Sequence, residues 1–272
     1  MPNYCLTCAH SKGKCAAARR DTALIRFIIL ANGRSGTTLV ANGLADHPQV
    51  LVYGELFHRD PVRRADDASR RTIGAGVWRR LPQGVAACGE TEDGAAYVAR
   101  LFAQAPGAYR AIGFKLGKGH AREGASNSVW PYLASLRSLR VVHIQRANWL
   151  ATLISRERAV RTRVWHTPTP PRSQPFRLDP ELCRRHFERL ETNAALAAPL
   201  LEQRPVLEVD YDDLSADFSS CMQRIWTFLE ADPLHVPSRM SKIAKLEPHE
   251  EIVNYDELRK LFRNTPYARF FV

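Results

Sequence analysis

Short, unbroken apolar runs alternate with longer amphipathic stretches along this 272-residue chain. Residues 25–31 read Ile-Arg-Phe-Ile-Ile-Leu-Ala and stop at Asn32-Gly33, the pattern of a buried strand closed by a turn. Comparable runs predict further strands at 50–53, 111–116, 139–145 and 206–209. Helices are predicted at 38–46, 92–104, 129–138 and 218–230, and from about 255 to 263. Asn148 fits the N-cap of another helix running to about 160, and Asp179-Pro180 the start of a long one, with proline at its first position. Residues 58–90, rich in Arg, Asp and Gly, show no period and predict loops with a short helix. Residues 165–177 carry Pro168, Pro170, Pro171 and Pro175 and predict a loop. Strands alternating with helices imply an α/β fold, a mostly parallel central sheet flanked by helices. Such sheets bind ligands at the carboxyl ends of their strands, which gathers the turns after 31, 53, 116 and 145 around one site. Residues 1–22 are polar and rich in Cys and Arg, an N-terminal appendage; residues 23–272 are expected to form a single domain.

Charge narrows the partners. The formal net charge is +11 and the pI near 9.7, which favours an anionic partner: nucleotide, acidic glycan, nucleic acid or membrane surface. Arg-rich coding bias would give the same sum, since Arg far outnumbers Lys. The basic residues are dispersed among acidic ones, so a nucleic-acid-binding module is the weaker alternative and no nucleic acid is expected as partner. The longest apolar run, 27–31, is far short of the roughly 20 residues that span a bilayer. With no leader pattern at the start, the expectation is a cytoplasmic protein without a membrane partner. Cys5, Cys8 and Cys15, with His10 between them, could hold a structural zinc, although the second paired motif of a usual site is missing and chance clustering is the alternative. Cys88, Cys183 and Cys221 read as small buried residues.

The strongest local signal is strand, small-residue turn, helix: Asn32-Gly33-Arg34-Ser35-Gly36-Thr37-Thr38 after the first apolar run. Backbone N–H groups at a helix start attract an anion, and glycines let the backbone approach it. Ser35, Thr37 and Thr38 add hydroxyls and Arg34 a cation. An ordinary capped turn is the bland alternative. A nucleotide triphosphatase or ATP-dependent small-molecule kinase would need Lys after the second glycine, where Thr37 stands. Asp210, after the run 206–209, is the one stand-in for a magnesium ligand.

From Gly33 to Leu39, then at His47-Pro48 and Gly54-Glu55, the sequence resembles the PAPS-dependent sulfotransferases, in particular their bacterial and carbohydrate-acting branches. The run from Leu139 through Arg146 to Ser155 resembles the same family, as do 113–116, 209–214 and 252–258. The resemblance covers nearly all of 25–272 and implies a P-loop-like sulfotransferase fold. It implies 3′-phosphoadenosine-5′-phosphosulfate (PAPS) as sulfuryl donor, 3′,5′-adenosine bisphosphate (PAP) as product and no catalytic metal. Arg34, Ser35, Gly36, Thr37 and Thr38 would then hold the 5′-phosphosulfate, and Arg146 and Ser155 the 3′-phosphate. Lys242, Lys245 and Arg239 would close over that phosphate. Glu55 would be the general base, with His58, His120 and, less favoured, His47 as alternatives; Arg34 and Lys115 would stabilise the transferring group. Adenine would stack on Trp149, Phe262 or Phe270, and the loop with Trp165 and His166 would face a small-molecule or glycan acceptor. A member that binds the nucleotide without catalysis is the remaining alternative.

Overall fold

The computed structural model describes residues 23–58, 92–104, 107, 109–165, 174–234 and 247–271. The five apolar runs form one sheet of five strands: β1 Ile25–Ala31, β2 Val50–Tyr53, β3 Ala111–Gly117, β4 Arg140–Gln145 and β5 Val206–Asp210. They lie in the order β2-β3-β1-β4-β5, and every pair is parallel. The chain leaves β1 for β2 on one side and later passes from β3 to β4 on the other, so the order reverses about β1. A crevice therefore opens at the carboxyl end of β1.

The apolar runs are continuous because both faces of the sheet are covered. Ile28 and Leu30 point to the face packed by α2 (Gly94–Ala103), α3 (Val129–Ser135) and the far half of the long helix α5 (Pro180–Gln203). Phe27 and Ile29 point to the opposite face, under α1 (Thr37–Ala45) and α7 (Phe218–Phe228). All four are fully buried, and burying each such side chain stabilises by about 1.5–3 kcal/mol. A third cluster joins α4 (Trp149–Thr162), the start of α5, α9 (Tyr255–Phe262) and the terminal turn Pro266–Phe270 through Leu153, Phe187, Phe262 and Phe270.

Caps fix the helix starts near the crevice. Asn148 accepts from the Ala151 N–H (3.0 Å) and Asp179 from the Glu181 N–H (3.0 Å), as their positions predict. Asp210 does the same for Asp212 (2.7 Å) and starts α6 (Tyr211–Ala216), a helix that the apolar pattern does not reveal. The helix expected at 129–138 ends at Ser135, because the chain must turn through Leu136–Leu139 to enter β4. Among the described residues no helix is long and apolar enough to cross a membrane.

Candidate active site

A cavity of about 1230 Å³ lies where the strand ends meet α1, α4, α5, α6 and the short helix α8 (Pro248–Glu251). Its floor is the turn after β1. Arg34 and Gly36 both adopt positive φ, 65° and 85°. At Gly36 this conformation favours glycine, and an added Cβ would also lie 3.0 Å from the Tyr211 ring. The turn thus packs tightly on α6 while Thr37 and Thr38 face the cavity. Ser35 is buried and does not line it.

Arg34 and Arg146 tie this floor together. Arg34 Nε donates to Ser155 Oγ on α4 (3.0 Å), and its Nη1 donates to the Trp165 carbonyl (2.9 Å). Arg146, just past β4, donates from Nη1 to the Arg34 carbonyl (3.2 Å) and lies over the Tyr211 ring at 4.3 Å. The nine-residue separation of Arg146 and Ser155 is bridged by the turn into α4, so both reach the one cavity.

On the other side, Glu55 follows β2 and Lys115 sits in β3. Their ion pair spans 3.1 Å, and Lys115 Nζ also donates to Thr38 Oγ1 (3.3 Å). The Lys115 ammonium, helped by His120 and His58, outweighs burial and holds the Glu55 carboxyl at about 2. The His58 and His120 rings meet edge to face at 5.2 Å. The ligand atoms of Glu55, His58 and His120 lie within 4.8 Å of one another, the one group of potential metal ligands among the described residues. An ion there would share the carboxylate with the Lys115 ammonium on Oε1, whose positive charge would repel it.

Several expectations change. His47 is not at the site: its Nδ1 accepts from the Gln49 N–H (3.1 Å), leaving Nε2–H to donate to the Asp232 carbonyl (2.7 Å). It belongs to the far end of α1, so it is removed as a base. Trp149, Phe262 and Phe270 do not line the cavity; Trp149 stacks on Phe270 at 4.9 Å, and both phenylalanines are buried in the third cluster. The aromatic rings that do line it are Tyr211, Trp165 and Phe218. Asp210 is occupied as a helix cap rather than presented to a magnesium ion. Cys5, Cys8, His10, Cys15, His166, Arg239, Lys242 and Lys245 lie outside the described residues.

The structure adds residues that sequence reasoning missed. Lys118 is buried on the cavity wall, and that burial lowers its pKa against the pull of Glu208. Arg158 on α4 pairs with the fully buried Glu251, docking α8 against α4. Arg189 and Asn193 of α5 also line the cavity. An i, i+4 pair on a long helix gives a signal for a shared face, but not for what that face covers.

The profile of the Sulfotransferase family matches residues 27–234. The chain is 26% identical over 259 residues to Nodulation protein H of Rhizobium meliloti, covering 90% of this chain and 94% of that protein. It is 27% identical over 258 residues to Nodulation protein H of Rhizobium tropici, covering 90% and 92%. Among solved structures it is similar to a sulfotransferase from Alicyclobacillus acidocaldarius, at 17% identity over 89% of this chain and 92% of that one, with a TM-score of 0.48. With that profile spanning most of the chain and every strand of the sheet, the protein belongs to the sulfotransferase family.

Proposed function

We propose that the protein transfers the sulfuryl group of PAPS to a hydroxyl, or an amine, of a carbohydrate or small metabolite, with Glu55 as general base. The observation that carries this reading is the placement of Lys115 between Glu55 and the anion loop, bonded to both Glu55 and Thr38. A base and an anion-stabilising cation thus border the same space. Pockets for single small ligands are typically about 300–1,000 Å³, so a cavity of about 1230 Å³ has room for a nucleotide and an acceptor together.

In this reading the loop N–H groups, Thr37, Thr38 and Arg34 hold the phosphosulfate, and Arg146 with Ser155 holds the 3′-phosphate. The acceptor oxygen gives its proton to Glu55 and attacks sulfur in line. The new O–S bond forms as the bond from sulfur to the 5′-phosphate oxygen breaks, and PAP leaves with that electron pair. Arg34 and Lys115 stabilise charge on the sulfuryl and leaving oxygens. Lys115 also explains how a carboxylate at about 2 can serve as base: as the ammonium turns to the donor's anionic oxygens, its hold on Glu55 weakens and the carboxylate becomes more basic.

A kinase on this sheet finds less support, since Thr37 replaces the loop lysine and Asp210 is spent on the α6 cap. The test compares wild type with Glu55→Gln, supplying ³⁵S-labelled PAPS and a panel of glycosides and phenols. Glu55→Gln is expected to bind PAP normally and to lose about 10²–10⁴-fold in transfer rate. Equal label transfer by both proteins would remove Glu55 as base and leave His58 and His120, which border the same carboxylate, as candidates.

A further inference from the structure

The turn that leaves β3 is fixed from more than one side. Gly117, Lys118, Gly119 and His120 all line the cavity. The Lys118 N–H donates to the Ala31 carbonyl (2.9 Å), which ties the turn to the end of β1, where the anion loop begins. The Lys118 carbonyl accepts from both Nε and Nη2 of Arg122 (3.2 Å each). The Arg122 guanidinium lies 3.4 Å from the centre of the Trp130 ring, and Trp130 Nε1 donates to the His120 carbonyl (2.8 Å). Trp130 is buried in the first turn of α3, in the same core cluster as Ile28 and Leu30, so the turn is anchored to a covered face of the sheet. Neither Arg122 nor Trp130 lines the cavity.

Among the described residues Arg122 forms no ion pair, and burial lowers its pKa to about 10, so it remains a cation at neutral pH. Its hydrogen bonds go to a carbonyl and its face to a ring. A guanidinium does both at once, because its flat face stacks while its edge offers parallel N–H groups. Between this clamp and His120, Ala121 holds a φ of 53°, a region that favours glycine, while its methyl is buried in the Trp130 cluster. Such strain persists only where the surroundings over-determine the backbone. On the inner side the His120 ring folds back over Gly117: a Cβ on Gly117 would lie 2.8 to 2.9 Å from three imidazole atoms. The ring is thereby set beside Glu55 and His58, where it adds to the Lys115 ammonium in lowering the Glu55 carboxyl.

We infer that Arg122 and Trp130 are positioning residues for sulfuryl transfer, which hold the 117–120 turn so that the His120 imidazole stays beside Glu55 and aligned with the anion loop. This rests on Glu55 and that loop being the site of transfer. The clamp works through backbone carbonyls, so it sets the place of the imidazole without touching substrate. In-line transfer rewards such placement, since a misplacement of about 1 Å can cost about 10²-fold in rate.

The experiment measures kcat and the KM for PAPS as release of ³⁵S label, to the glycosides and phenols or to water, and PAP affinity by calorimetry. Arg122→Lys keeps the charge and loses the fork; Trp130→Phe keeps the ring and loses the N–H. Each is expected to lower kcat about 10- to 100-fold, with KM for PAPS and PAP affinity within about twofold of wild type. Gly117→Ala, which pushes the imidazole from its other side, should lower kcat likewise. In a His120→Asn background, Arg122→Lys should lower kcat no further, because the clamp acts through that ring. Unchanged kcat in both clamp variants, the same loss with and without His120, or full activity in His120→Asn would overturn the inference. A loss confined to PAP affinity would overturn it too, by making the clamp a prop of the nucleotide loop. Wild type that binds no PAP, or that releases no label at all, is a separate result and would overturn the functional reading itself.

Discussion

The floor and the helical wall of the cavity are built by different means. The floor consists of strand ends and the turns that leave them: Arg34 after β1, Glu55 after β2, Lys115 within β3 and Arg146 after β4. Their positions follow from a backbone ladder locked in register, as in Ile29↔Lys115 and Ala31↔Ile144. The wall is held by side chains: Arg158 on Glu251, Arg189 on His186, His186 on Thr152, Asn193 on Asn32. A ladder fixes groups to the accuracy that in-line transfer needs, whereas a side-chain lattice can be rewired residue by residue. Under the proposed function, groups that must hold still for in-line transfer sit on the floor, and the wall is the part that can change without moving them.

Acid should separate the two regions, and this is the larger expected effect. His186 titrates near 4 in the folded protein against an ordinary 6.5, so the unfolded chain binds the extra proton between those values. Stability is expected to fall as the pH drops from 6.5 to 4, by up to about 3 kcal/mol for a shift of this size. Glu55 is lowered from 4.5 to about 2, so its stabilisation is complete above 4.5 and is lost as the pH falls towards 2. The wall should therefore weaken first. Urea midpoints from pH 7.5 to 3, for wild type and His186→Asn, check this; a flat wild-type profile between 6.5 and 4 would contradict a His186 held neutral between Thr152 and Arg189.

Arg146→Ala probes the floor with a smaller, more local effect. Removing a charge-assisted contact to phosphate costs about 1.5–3 kcal/mol, so PAP affinity should fall by roughly 10- to 100-fold. The fold should persist, because Arg146 lies on the Tyr211 ring and at the Arg34 carbonyl rather than in the core. Unchanged PAP affinity would remove Arg146 from the nucleotide site, and the floor would lose its claim to the chemistry.

The sequence shows the floor more clearly than the wall for the same physical reason. A buried parallel strand leaves a contiguous apolar run, and the residue after it must lie at a strand end. Arg34, Glu55 and Arg146 could be placed that way, with Lys115 near the end of the run 111–116, and the structure brings all four to one cavity. The wall depends on which helix faces meet, which no local pattern records. Trp149 looked available to stack on adenine because its partner Phe270 is 121 residues away. His47 is less favoured from sequence because it precedes β2, and it bonds to the Asp232 carbonyl at the opposite end of the sheet. Helix α6 escaped because Asp210, read as a metal-ligand stand-in, was its cap.

The central claim is tested most directly by titrating the full chain with PAP, with ATP and magnesium in a parallel titration. The account predicts micromolar binding of PAP and little binding of ATP, because in the proposed reading Arg146 and Ser155 would hold a 3′-phosphate that ATP lacks. Binding of ATP–magnesium with no binding of PAP would contradict it and turn the cavity into a kinase site.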